Sequence, residues 1–149
     1  MSTVNTIYYC NNGCIQIPEG WEDKTIISLT YPAGAKQATA SFTIVKDTLK
    51  DNEITLAAYV DNHLQAVKEF SNFRLLEHNN LLINRIKSEQ VEFKWDTPDG
   101  DTIHQKQTIV YDFPSIYTLT ATANEDHYVS LQSMFEIMIQ SFKPSKQND

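Results

Sequence analysis

Four histidines, two cysteines and one pair of aspartates are the side chains with which this sequence could bind a metal or catalyse a reaction. No histidine stands at metal-ligand spacing from another histidine or a cysteine, so we interpret all of them as surface or helix-face residues: His63, His78, His104 and His127. Cys10 and Cys14 form one C-x3-C pair, which supplies only half the ligands of a tetrahedral zinc site. Because they flank a tight turn, they could also face each other and oxidise, but we expect them to stay reduced.

Asp99 and Asp101 resemble a catalytic carboxylate pair, but they lie in a turn, where aspartate is favoured for backbone reasons. The chain has only 4 glycines, and it contains no nucleophile elbow, phosphate-binding loop or dinucleotide fingerprint. We therefore predict that the protein is not an enzyme and that it holds no metal and no cofactor.

The net charge of the chain indicates which classes of binding partner are not expected. Lys and Arg number 12 and Asp and Glu number 19, which gives a net charge of −7 without any basic cluster. Nucleic acid and anionic membrane surfaces are therefore not expected as partners. No apolar run approaches the ~18 residues that a membrane span needs, so direct insertion into a bilayer is not expected either. The N-terminus has no basic start followed by an apolar run, which predicts a cytoplasmic protein.

The elements that position these residues are strands and two helices. Runs of β-branched and aromatic residues between turn residues predict strands over 7–10, 14–17, 25–31, 38–45, 86–95, 102–112 and 115–123. Two shorter strands, 73–77 and 81–83, are predicted around an Asn79-Asn80 turn. Other turns are predicted at Asn11-Asn12-Gly13, Pro32-Ala33-Gly34 and Thr97-Pro98-Asp99-Gly100.

Helical spacing appears twice. Leu56, Val60, Leu64 and Val67 predict a helix that Thr55 caps. An apolar stripe from Tyr128 to Phe142 predicts a second, capped by Asn124 or Asp126. The order strands, helix, strands, helix predicts an α+β fold with a mostly antiparallel sheet and two helices. We expect a single domain over 1–149, with its core at about 7–142 and a polar C-terminal tail.

One face of the predicted sheet has an unusual composition. Alternation along the strands places an apolar set on one side and a mixed set of aliphatic, hydroxyl and amide side chains on the other, including Ile26, Ser28, Ser41, Thr43, Gln105 and Gln107. This mixture is typical of a solvated sheet face, but it also suits recognition of an apolar partner that carries some polar groups. A transmembrane helix held outside its bilayer is such a partner, because its apolar surface must be shielded and its polar groups need hydrogen bonds.

Several motifs occur together in a particular order. They are Pro18-x-x-Trp21-x-Asp23-x-Thr25-Ile26, Phe42-Thr43-Ile44-Val45-Lys46-Asp47-x-Leu49, Leu56-x-x-Tyr59-x-x-x-His63-Leu64, Trp95-x-x-x-x-Gly100-x-x-Ile103-x-Gln105-x-Gln107 and Tyr117-Thr118-Leu119-Thr120-Ala121-Thr122. With this order and spacing, residues 7 to 142 resemble the Eag chaperones of bacterial type VI secretion, which have a PsbP-like fold with a curved sheet.

The resemblance implies a cytosolic homodimer that binds the N-terminal transmembrane segments of a PAAR-domain effector, often an Rhs toxin, and helps to mount it on the VgrG spike. It implies partner contacts by Ile26, Ser28, Ser41, Thr43, His63, Val67, Gln105 and Gln107, with His63 and Val67 on the exposed flank of the first helix. His63 stands where the family usually has Gln, and Lys46 where Arg is common. Trp21 and Asp23 are interpreted as structural residues. The alternative is a non-catalytic PsbP-like scaffold or binding module for a soluble protein complex.

Overall fold

The computed structural model describes residues 6–10, 13–21, 24–31, 40–50 and 54–145. In chain order the elements are β1 (Thr6–Cys10), β2 (Gly13–Ile17), β3 (Ile26–Tyr31), β4 (Ala40–Thr48), α1 (Leu56–Val67), β5 (Arg74–Ile83), β6 (Ile86–Asp96), β7 (Thr102–Asp112), β8 (Ser115–Asn124) and α2 (Glu125–Gln140). Strands β1 and β2 pair as a separate hairpin, whereas the other six form one antiparallel sheet in the order β3-β4-β8-β7-β6-β5. The predicted α+β fold with a mostly antiparallel sheet and two helices is confirmed.

Helix α1 lies on one face of the large sheet. It buries the predicted stripe from Leu56 to Val67 against side chains of β6, β7 and β8, chiefly Val91, Phe93, Ile109 and Ile116. Its start is fixed by Thr55, whose hydroxyl oxygen accepts a hydrogen bond from the Ala58 backbone N–H at 3.1 Å. The predicted cap is therefore present, and it satisfies a backbone donor that has no partner within the helix.

The two helices differ in their N-caps, so substituting the two N-cap residues should change the stability of the protein by different amounts. Thr55→Ala should lower the free energy of unfolding by about 1 kcal/mol, because it removes a hydrogen-bonding N-cap side chain. Asn124 occupies the N-cap of α2, but its side chain makes no capping hydrogen bond. Asn124→Ala should therefore change stability by much less. Urea unfolding of the two variants measures both free energies of unfolding, and equal losses of stability would contradict this prediction.

Helix α2 covers the opposite face of the sheet. Tyr128, Phe135 and Ile139 are buried there, together with inward-facing side chains of β4, β7 and β8 such as Phe42 and Leu119. The apolar stripe predicted for this helix is therefore the one that packs. Helix α1 packs on β6, β7 and one end of β8, so among the described residues the α1 side of β3 and β4 is left partly or fully exposed.

The long hairpin predicted between β6 and β7 is present, and its turn is closed by a hydrogen bond from the Gly100 N–H to the Thr97 carbonyl at 3.0 Å. Gly100 has a φ of 91°, which favours glycine at this position. A cis peptide bond between Phe113 and Pro114 lies in the next turn, between β7 and β8.

One predicted turn is wrong. Asn79 and Asn80 lie inside the continuous strand β5, paired with Gln90 and Glu89 of β6. The chain reverses instead at Asn84 and Arg85, both with positive φ. Asparagine is common in turns, but both side chains are exposed on this edge strand, where asparagine is tolerated. The backbone pairing with β6 therefore determines the extended conformation.

Strand β4 also extends three residues past its predicted end at Val45. The Pro32-Ala33-Gly34 turn, residues 38 and 39 of the predicted 38–45 strand, and the Asn11-Asn12 pair lie outside the described residues.

Candidate partner-binding face

Eleven of the residues of β3, β4, β8 and β7 on the α1 side of the sheet form a surface that we call the mixed face. Its members are Ile26, Ser28, Thr30, Ser41, Thr43, Val45, Thr118, Thr120, Thr122, Gln105 and Gln107. Directly paired residues share a face of a sheet. The strand registers therefore produce two rows across it: Ser28–Thr43–Thr120–Gln107 and Thr30–Ser41–Thr122–Gln105.

The row that ends at Gln105 is anchored by an indole. The Trp95 Nε1–H donates to Gln105 Oε1 at 2.7 Å, and Gln105 Nε2 donates to Thr122 Oγ1 at 3.0 Å. An indole N–H can only donate, so it determines which end of the Gln105 amide points toward Trp95. The amide nitrogen is then directed at Thr122.

The row that ends at Gln107 is anchored by helix α1. His63 Nε2 lies 2.5 Å from Gln107 Oε1, and Gln107 Nε2 donates to Thr120 Oγ1 at 3.3 Å. Gln107 is buried, with 8% of its surface exposed. His63 is therefore engaged in a hydrogen bond within its own chain, and through the amide of Gln107 it connects α1 to the sheet.

A tyrosine of α1 forms the boundary of the mixed face beside Thr118. Burial, with the nearby Asp47 carboxylate, raises the pKa of Tyr59, while a hydrogen bond with Thr118 opposes that rise. Tyr59 thus keeps its hydroxyl proton near neutral pH. Asp47 forms an ion pair with Lys24 at the end of the β3–β4 ladder.

The open part of the mixed face combines exposed apolar groups with small polar ones. Ile26 is 68% exposed and Val45 is 39% exposed, and they are directly paired across β3 and β4. Ser28 is exposed beside them, and Thr43 is half-buried. None of the eleven members of the face defined above carries a charge, but Asp47 lies on the same side of β4, at the margin of the face, where it forms an ion pair with Lys24. Such a surface can contact an apolar partner without burying an ion.

The opposite face holds a polar cluster that is closed beneath α2. Lys106 Nζ lies 2.7 Å from Glu136 Oε1 and 3.2 Å from Glu92 Oε1, while His104 Nε2 lies 3.2 Å from Glu92 Oε2. The His104 ring stacks on Tyr128 with their centroids 3.5 Å apart. These side chains connect the helix to the sheet. Among the described residues, no group of three or more histidine, cysteine or acidic side chains is arranged to hold a metal ion.

Burial and the neighbouring charges shift the pKa values of Lys106 and His104 in this cluster. Burial alone would lower the pKa of Lys106, but its hydrogen bond to Glu136 and the Glu92 carboxylate raise the pKa overall, so the ammonium stays charged. Burial lowers the pKa of His104, and the Glu92 carboxylate only partly offsets that effect. His104 is therefore neutral in the folded protein near neutral pH.

The position of His104 predicts a loss of stability in mild acid. The unfolded chain binds the His104 proton near pH 6.5, whereas the folded chain binds it at a lower pH. Between these values the unfolded state holds more protons, so stability falls as the pH falls below about 6.5. His104→Phe keeps a ring on Tyr128 and removes the titration, so its urea midpoint should change less between about pH 7 and pH 5. A variant with the same pH dependence as the wild type would contradict this assignment.

Comparison with known proteins places the chain in a family. The family model described as DcrB matches residues 12–141. The chain belongs to the DcrB family.

Relatives and solved structures extend this result to the fold. The DcrB-family chain is 25% identical over 118 residues to Effector EagT6 of Pseudomonas aeruginosa, covering 78% of this chain and 81% of that protein. The crystal structure of PA94, a P. aeruginosa protein of unknown function, matches with a TM-score of 0.82 at 22% identity over 96% of this chain and 99% of that one. CyanoP, the PsbP protein of Synechocystis, matches with a TM-score of 0.57 at 11% identity over 89% of this chain and 86% of that one. The predicted kinship with Eag proteins and the PsbP-like fold are confirmed.

The site residues predicted from sequence fall into two groups in this DcrB-family chain. Six lie on the mixed face as alternation indicated: Ile26, Ser28, Ser41, Thr43, Gln105 and Gln107. His63 lies at its edge. The expectation that Val67 lies on an exposed flank is wrong, because it is buried in the core under α1 at 5% exposure. Its place in the helical stripe from Leu56 already indicated this position.

The predicted site residues did not include those of β8, the strand at the centre of the face. Thr118, Thr120 and Thr122 of β8 lie between the hydroxyl residues of β4 and the glutamines of β7. Threonine alternates with apolar residues from Tyr117 to Thr122, and this alternation indicates that the three threonines share a face.

Two further predictions concern the N-terminal region. Cys14 is an exposed free thiol, and the β1–β2 register pairs it with Tyr9 rather than Cys10. Trp21 is 74% exposed, and Asp23 lies outside the described residues, so their predicted structural role stays a prediction. Among the described residues, neither helix has the length and hydrophobicity that a membrane span requires.

Proposed function

We propose that this protein is a chaperone of a type VI secretion effector, and that its mixed face holds the N-terminal transmembrane helices of a PAAR-domain protein, such as an Rhs toxin, before secretion. The observation that carries the proposal is the uncharged mixed face, left open beside α1, in a chain related to EagT6. The role is non-catalytic, with no cofactor.

The physical basis is the mixed character of both surfaces. A transmembrane helix outside its bilayer exposes apolar area, and each Å² removed from water is worth about 25 cal/mol. Its small residues allow close approach, while its serines, threonines and exposed carbonyls still seek hydrogen bonds. Ile26 and Val45 supply apolar contact, and the adjacent hydroxyl rows supply polar partners.

The wider setting of the proposal is a cytoplasmic homodimer. Two copies of the mixed face would enclose a helix more completely than one sheet face. The protein would shield the apolar segments until the effector is mounted on the VgrG spike, and it would be released there. These parts of the proposal come from the kinship with Eag proteins.

Co-expression with a PAAR effector encoded beside this protein tests the proposal. The effector should be soluble with the wild-type protein and should aggregate without it. Deleting the effector's apolar N-terminal segments should remove both the aggregation and the complex. An effector that stays soluble alone, or a captured partner without any apolar helix, would contradict the proposal and favour a scaffold for a soluble complex.

A further inference from the structure

A second apolar surface lies on the α2 side of the sheet, away from the mixed face. Strand β3 directs Ile27, Leu29 and Tyr31 to this side, because they alternate with Ile26 and Ser28. They are 41%, 49% and 49% exposed. Helix α2 packs over side chains of β4, β7 and β8 and leaves these residues of the edge strand partly uncovered.

A cavity of about 160 Å³ opens on this side, between α2 and the strands β3 and β4. Its walls include Leu29, Tyr31, Phe42, Leu131, Met134 and Met138, and none of the residues that line it is charged. An apolar cavity of about 150 Å³ holds a benzene ring. This cavity can therefore receive an aromatic side chain, and its methionines can adapt to the shape of the ring.

The same chain carries apolar side chains that its own described residues leave exposed. Trp21 is 74% exposed, Ile15 62% and Ile7 48%. Ile7 pairs with Gln16, the neighbour of Ile15, so the two isoleucines lie on opposite faces of the β1–β2 hairpin. Among the described elements, β1 and β2 pack extensively only against each other. Because an isolated hairpin is marginally stable in water, this one needs a surface to cover it.

Resting on the homodimer of the proposed function, we infer that Trp21 and the β1–β2 hairpin of one copy dock on the α2 side of β3 in a second copy, with the Trp21 ring in the cavity. A twofold axis makes the contact reciprocal, so each copy supplies Trp21 to the cavity of the other. Trp21 then has a structural role in the dimer although it is exposed in the single chain.

Charge and area both favour a second copy as the occupant. Each chain has a net charge of −7, so two copies repel each other wherever charged surfaces meet. The two hairpin strands and the cavity lining contain no charged residue. The exposed apolar residues of both regions present on the order of 800 Å² per copy, which is the area that each partner buries in a standard interface. They are Ile7, Ile15, Trp21, Ile27, Leu29, Tyr31 and Met134.

Sedimentation velocity of the purified chain, without any effector and over a range of concentrations, measures the contact. The wild type should sediment with the mass of two 17.1 kDa chains. Trp21→Ala should raise the dissociation constant of the dimer at least about a hundredfold, because the twofold axis removes two buried anchor side chains at once.

Met134→Glu tests the cavity side of the contact. It places a carboxylate in the lining, and it should weaken the dimer as strongly as Trp21→Ala. Val129→Glu is the matched control, because Val129 is 78% exposed on the same helix and does not line the cavity; it should leave the dimer intact. Circular dichroism identifies folded variants. If Trp21→Ala does not fold, Met134→Glu against this control decides the question.

A mixture of the two variants tests whether the contact is reciprocal. The Trp21→Ala chain keeps an intact cavity, and the Met134→Glu chain keeps Trp21. A mixed dimer therefore regains one of the two contacts, whereas neither variant alone forms either of them intact. The mixture should associate at least about tenfold more tightly than each variant by itself. A mixture no tighter than its components would overturn the docking of Trp21 in the partner's cavity.

The outcomes separate this inference from the proposed function. If the wild type is a dimer and both variants dimerise equally well, the inference is overturned and the proposed function stands. If the dimer depends on Trp21 and Met134 but the co-expressed effector still aggregates, the inference stands and the chaperone role is overturned. If the wild type is a monomer, the inference and the homodimer are both overturned, while recovery of the effector decides the role of the mixed face.

Discussion

Ile26→Asp is expected to weaken client binding at least about a hundredfold while leaving the protein folded. Burying an isoleucine side chain against a partner is worth about 1.5–3 kcal/mol, and an aspartate at the same point must lose its hydration or keep the partner away. Ile26 is 68% exposed, so little of the fold depends on it. The measurement is recovery of the co-expressed effector with the tagged protein, followed by a binding titration with the effector's N-terminal segment.

The control for this variant is Ile137→Asp. Ile137 is 70% exposed on α2, on the other side of the sheet, so the substitution adds the same charge at an equally exposed isoleucine. We expect it to retain the effector. If both variants lose the effector equally, the added charge is responsible and the mixed face is not the binding surface.

Phe93→Ala is expected to lower the free energy of unfolding by about 4 kcal/mol, because it removes a fully buried aromatic ring and leaves a cavity. Phe93 is 0% exposed and packs within the cluster under α1, with its ring 5.2 Å from that of Phe73. Such a loss is a large part of the 5–15 kcal/mol that stabilises a typical domain. Urea denaturation, with a shifted midpoint at a similar slope, measures it.

Leu82→Ala is the matched control on the neighbouring edge strand. Leu82 is 64% exposed, so its truncation should cost only a few tenths of a kcal/mol. A small effect of Phe93→Ala would mean that α1 is held to the sheet by other contacts.

The features that sequence predicted well are those set by local periodicity. The stripe from Leu56 to Val67 and the Thr55 cap depend on neighbouring residues, and both are present in α1. Strand alternation placed Ile26 and Ser28 on one face because every second side chain in a strand points the same way. The β5 region failed, because Asn79 and Asn80 favour turns locally while pairing with β6 extends the strand through them.

The candidate binding face depends on information that a single sequence does not carry. Which half of the mixed face α1 leaves open depends on the order β3-β4-β8-β7-β6-β5, in which β4 pairs with β8 across a long stretch of chain. The supporting roles of Gln105 and Gln107 depend on side-chain partners such as Trp95 and His63, which only the folded arrangement brings within reach. From residue type alone, the two glutamines are predicted to contact a partner, because their amides can both donate and accept hydrogen bonds.

Strand β3 has a consequence for how the protein must be produced. Its six residues include no charge, proline or glycine, its apolar side chains are exposed on both faces, and among the described strands it pairs only with β4. Natural edge strands usually carry lysine, proline or a bulge that discourages pairing with other chains. Copies of this chain that have no bound partner should therefore associate through the exposed edge of β3, so under the proposed function a cell gains by matching the amount of this protein to that of its effector.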